Sequence, residues 1–150
     1  MIKSVMRPGV RCAHIFRMKR AAMAWLGLFV LAFLNGAFRE FVLKAGMGLS
    51  DLFAHQLSCL TGVVLWTAFV FLIWERLQIK SVRQAALVGF YWFSATLIFE
   101  TFVLNRNLSW AEVRHTYDVM AGEFWGLVLL WIGLLPVVVF FVKKRSHVSR

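Results

Sequence analysis

Eleven side chains that could ionise, bind or pass a proton lie at or between the ends of otherwise apolar segments: Asn35, Arg39, Glu40, His55, Gln56, Glu100, Arg114, His115, Tyr117, Asp118 and Glu123. An imidazole beside a carboxylate is the pairing general acid and base catalysis needs, so His55 or His115 with Glu100 or Asp118 could do that chemistry. A carboxylate inside an apolar segment, as Glu100 is, is also the group that proton or ion translocation would use. His55 alone could supply an axial ligand to haem. None of these chemistries has a motif behind it. There is no H-E-x-x-H, no cluster of Cys and His and no histidine pair at i, i+4, so no metal site and no cofactor is expected, haem through His55 being the one option kept open. A nucleophile with an oxyanion site is not apparent. The only polar steps along the remaining depth of the segments are Thr67, Ser94 and Thr96, which leaves a path through a single copy dry.

The elements that must position these groups are apolar helices. Of the 150 residues, 61% are hydrophobic, and the mean hydropathy is +0.73, well above that of a soluble domain. A bilayer core of about 30 Å takes about 20 helical residues to cross. Four stretches are long enough: 21–43, 52–74, 85–104 and 119–142. They lack the period-two alternation of a membrane barrel. The expected fold is therefore an all-α integral membrane four-helix bundle, with a basic lead over 1–20, a four-helix domain over 21–142 and a basic tail over 143–150. The first segment is expected to be retained rather than cleaved, because its apolar run of roughly 18 residues exceeds the 7 to 15 of a signal core. Cys12 falls in the lead and Cys59 within the second segment, so no disulfide is expected.

Charge distribution orients the bundle. Thirteen of the 17 basic residues fall in the lead, in the second connection (Arg76, Lys80, Arg83) and in the tail, where the one acid is Glu75. The opposite end has Arg39, Lys44, Arg106 and Arg114 with six acids, Glu40, Asp51, Glu100, Glu112, Asp118 and Glu123. By the positive-inside rule both termini are cytoplasmic. The basic excess then reads as topology and attraction to anionic lipid at the cytoplasmic face, with the lipid bilayer as the first partner and no nucleic acid.

Depth along each helix, at 1.5 Å per residue, puts Asn35 and Glu100 roughly 21 and 22 Å from the cytoplasmic edge, and Arg39, His55 and Glu123 at roughly 27 to 28 Å. All of them lie in the outer third. Asn35 and Arg39 are one turn apart on one face and are expected to act as a pair, with Glu100 as the facing partner. His55, Ser58, Cys59 and Gly62 make a small, polar face at the same level, and Gly122 with Gly126 form a small-xxx-small pair on the fourth helix. The connection after the third helix divides into a turn at 105–107 and a short helix capped by Ser109, with Glu112 three residues on. That places Arg114, His115, Tyr117 and Asp118 over an outer polar layer formed by Asn35, Arg39, His55, Gln56, Glu100 and Glu123. The bulky Trp66, Trp74, Trp92, Trp125 and Trp131 read as core and lipid packing.

The stretches "NGAFRE", "AHQLSCLTG", "GFYWFSATLIFETFVL" and "LSWAEVRHTYDVMAGEFWGLVLLWIGLLP" resemble small four-span bacterial inner-membrane proteins, an uncharacterised family. The resemblance covers roughly residues 30–136. It implies a bacterial inner membrane and a shared polar site on Arg39, Glu40, His55, Phe99, Glu100, Tyr117, Asp118, Gly122 and Trp125, and Cys59 departs from it where glycine is more usual. The function expected is a binding or assembly subunit of a membrane complex, with a membrane-protein partner or a second copy. A membrane-embedded enzyme acting on a lipid or small molecule, or an oligomeric proton- or ion-coupled transporter, are the alternatives.

Overall fold

The computed structural model describes the backbone of residues 8–148 and the side chains of 18–146. Lys3, Arg7, Arg11, Cys12 and Arg17 of the lead, and Arg150 of the tail, lie outside the described side chains. Helix α1 runs over Pro8–Phe38 and continues as a π-helical turn, Arg39–Lys44. Helix α2 covers Asp51–Leu77, and α3 covers Val82–Phe99 before a second π turn, Glu100–Leu104. A short α4, Trp110–His115, and a 3-10 turn, Val119–Ala121, precede α5, Trp125–Val148.

Local chemistry sets the helix ends. Ser50 caps α2 by accepting from the Phe53 amide at 3.4 Å, and Ser81 caps α3 by accepting from Gln84 at 3.3 Å. Ser109 and Glu112 close a reciprocal capping box on α4, the Ser109 amide donating to Glu112 Oε2 at 2.7 Å. That bond, with the Ser109 hydroxyl, holds the Glu112 carboxyl below its ordinary range. The fourth long helix starts later than its apolar run. Val119, Met120 and Ala121 turn under an Asp118 cap, and Gly122 adopts φ +88°, a left-handed conformation that glycine takes without steric cost. Glu123 therefore sits in the approach to α5, and Gly122 and Gly126 do not share a helix face.

Four helices are long and apolar enough to cross a membrane, the longest of 27 residues, about 40 Å at 1.5 Å per residue. Only 17–33% of their most apolar windows is buried. Their large side chains point outward, Leu72 being 83% and Phe90 69% exposed, which is the surface an apolar solvent would cover. The core itself is a column of Leu28, Trp66, Val70, Trp92, Leu135 and Val139 with their neighbours. Helix α3 lies so close to α5 that a Cβ at Gly89 would fall on the Gly133 carbonyl oxygen. Pro136, which cannot donate to the helix ladder, is buried at the same crossing.

Four indoles do more than fill space. Trp66 Nε1 donates to the Leu28 carbonyl at 3.2 Å and Trp131 Nε1 to Thr67 Oγ1 at 3.1 Å. Trp92 Nε1 donates to the Ala21 carbonyl at 2.9 Å and Trp25 Nε1 to Thr96 Oγ1 at 3.1 Å. The last two bridge α1 and α3. The same gap is crossed by rings, Phe29 meeting Phe99 edge-on with centroids 4.8 Å apart.

Candidate functional site

Above that aromatic bridge, toward the end of the bundle that holds both π turns, a cavity of about 490 Å³ opens among α1, α2, the second π turn and the start of α5. Its floor is Phe29, Ala32 and Trp66, and its polar wall carries Asn35, Arg39, His55, Glu100 and Glu123. Phe33 and Leu104, 71% and 64% exposed, line it where it faces outward. A smaller recess of about 380 Å³ lies on the far side of Arg39, His55 and Glu123, which it shares, and is rimmed by Glu40, Lys44 and Asp51.

The three shared residues form one hydrogen-bonded chain. Arg39 Nη1 lies 3.2 Å from His55 Nδ1, and His55 Nε2 lies 3.2 Å from Glu123 Oε2. A guanidinium can only donate and a carboxylate can only accept, so the imidazole must offer a lone pair at Nδ1 and a proton at Nε2. Geometry thus assigns the neutral ring with its hydrogen on Nε2. Cys59 Sγ approaches the same Nε2 at 3.5 Å, but an Nε2 that carries the hydrogen cannot accept the thiol proton. The arrangement holds Cys59 as a thiol rather than an activated nucleophile.

Arg39 also donates to Glu40 at 3.0 Å, and Lys44 joins Glu40 at 2.9 Å to Asp51 at 2.7 Å, a network across the first loop. Gln56 donates to the Gly122 carbonyl at 3.2 Å and so fixes the turn that presents Glu123. Asn35 is buried and serves α2 instead of Arg39: its Nδ2 donates to the Ser58 carbonyl at 2.7 Å and its Oδ1 accepts from Thr61 at 2.8 Å. The expected Asn35–Arg39 pair is not made, although both residues line the cavity. Arg39 and Glu100 line the same cavity but form no ion pair.

Glu100 is 7% exposed, and its Oε2 has no hydrogen-bond partner. Asn105, Tyr117 and Trp125 bring Nδ2, a hydroxyl and Nε1 beside this carboxylate, close enough for electrostatic interaction but outside hydrogen-bonding geometry, and each of those atoms is itself buried and unpaired. Burial, reinforced by the neighbouring Glu100 charge, holds the Tyr117 phenol above its ordinary range, so it stays a donor. Three donors thus surround one acceptor without closing on it.

The structure brings Asn35, Arg39, His55, Glu100 and Glu123 to one cavity, with Glu40 in the adjoining recess, Gln56 behind it and Tyr117 beside Glu100. Arg114 and His115 are exposed on α4 and Asp118 is spent on capping the 3-10 turn, so these three are not part of it. Trp125, which the resemblance had included, lines the site, and Asn105, which nothing in the sequence had singled out for it, joins it. Among the described residues no group of three or more His, Cys, Asp or Glu side chains is placed to hold a metal ion. Compared with protein families, curated proteins and solved structures, the chain matches none.

Proposed function

We propose that the protein is a multi-pass binding protein of the bacterial inner membrane, a non-catalytic subunit or receptor whose polar cavity takes the head of an amphiphilic molecule or membrane partner near the outer face. Both termini lie in the cytoplasm on this reading. The observation that carries it is Glu100. Burying a carboxylate to this depth with none of its three neighbouring donors closed on Oε2 is costly, and a ligand donor entering past Phe33 and Leu104 completes the set. Binding is favoured over turnover because the one imidazole in the cavity is committed on both nitrogens to Arg39 and Glu123.

The test is Glu100→Gln in protein purified from native membranes in mild detergent. Native mass spectrometry of the wild type is expected to show a retained amphiphile. The variant, which replaces an acceptor by one more donor among three donors, is expected to lose it at unchanged far-UV circular dichroism. Wild-type protein with no retained or rebinding amphiphile, together with a variant that unfolds, would reduce Glu100 to a structural role and end the proposal.

A further inference from the structure

A larger cavity lies at the other end of the bundle. A cleft of about 760 Å³ runs along the outer seam of α1 and α2. Its origin is local. Phe69 rests its ring on Gly27, whose missing side chain lets it approach the α1 backbone. Toward the basic end, α1 then offers only buried Ala24 at the seam, while Met23 swings outward at 72% exposure. The trough between them is walled by Met23, Phe69 and Ile73 and ends at Lys19, Arg20 and Arg76. Its one acid is Glu75.

Three cations against one carboxylate stand where α2 ends, and a helix C-terminus by itself repels anions. Arg20 offsets that repulsion by donating Nη1 to the Arg76 carbonyl at 3.1 Å. Among the described residues no ion pair engages Lys19 or the Arg76 guanidinium. From Arg76 to Phe69 the apolar wall extends about 10 Å along α2. A basic end joined to an apolar trough of that length matches a phosphate ester carried on an acyl chain.

We propose that this cleft is a binding site for one anionic phospholipid, its phosphate on Lys19 and Arg76 and the first part of an acyl chain along Met23, Ile73 and Phe69. The site rests on the four helices lying in a bilayer and not on any ligand at Glu100. It differs from diffuse attraction of a basic surface because Lys80, Arg83 and Lys143–Arg145, at the same end, do not line it.

The test is native mass spectrometry of the delipidated full chain titrated with phosphatidylglycerol or phosphatidylcholine. One phosphatidylglycerol is expected to bind preferentially. Lys19→Gln with Arg76→Gln is expected to weaken it about tenfold or more, given the attraction contributed by each basic side chain at a lipid surface. Lys144→Gln with Arg145→Gln, which removes the same charge from the same end, is expected to change it less than about twofold. All four side chains are exposed, and far-UV circular dichroism checks that both variants fold. Equal loss from the two pairs, equal retention of the two lipids, or displacement by inorganic phosphate at matched concentration would each overturn the site. So would a dimer that binds no lipid, which would assign the cleft to a second copy. Loss of ligand in Glu100→Gln leaves this result untouched.

Discussion

At the level of single residues, the indoles of Trp66 and Trp125 differ in whether the N–H is hydrogen-bonded. Trp66 donates to a buried backbone carbonyl, whereas Trp125 Nε1 is buried with no partner. Trp66→Phe should therefore lower stability by about 1 kcal/mol from the hydrogen bond alone. Trp125→Phe removes a donor that lies beside the Glu100 carboxylate without closing on it, and should cost less. Thermal unfolding of both variants in the same detergent measures the difference, and equal losses would show that Trp125 is bonded in solution. Read from its residue type, an indole in an apolar run looks like bulk, so the place of Trp125 beside Glu100 was suggested by the resemblance alone. The depth of Asn35 and Glu100 was legible, because counting along a helix requires only length. Pairing was not legible in the same way. It depends on how each helix is rotated against its neighbours, which packing sets, and Arg39 is already taken by Glu40 and His55.

Among the elements, α3 and α5 form the tightest seam. Gly89→Ala would drive a methyl group into the Gly133 carbonyl, and overpacking of this kind typically costs about 1–3 kcal/mol. A lower unfolding temperature is expected, with the Trp66–Leu28 contact between α1 and α2 left intact. Gly36→Ala, with nothing within 4 Å of the added carbon, is the matched control and should be neutral or slightly stabilising. The four long helices were readable because about 20 apolar residues in a row admit few other structures. The start of α5 was not, since Val119, Met120 and Ala121 prolong the apolar run. The signal lay in Asp118 and Gly122 around them, a cap and a left-handed residue enclosing three positions.

For the molecule as a whole, polarity divides the bundle lengthwise. The end with Lys19, Arg20, Arg76, Lys80 and Arg83 carries the anion-attracting cleft, and the end with Glu40, Asp51, Glu100 and Glu123 carries the cavity. If the protein lies in a bacterial inner membrane with its basic end cytoplasmic, a cysteine introduced at Asn107 in a Cys12→Ser, Cys59→Ser background should react with a membrane-impermeant maleimide in spheroplasts, where that membrane is intact. One at Ser146 should react only after lysis. The reverse pattern would invert the assignment of both sites.

The two π turns make the ends unequal in another respect. Each holds its hydrogen bonds one residue further along the chain than an ordinary helix does. Removing a single amino acid from Arg39–Lys44 or Glu100–Leu104 would let the turn close into ordinary helix, with the segments on either side keeping nearly the same faces. Such a deletion is therefore expected to reposition the side chains of the turn itself while the helices on both sides stay packed.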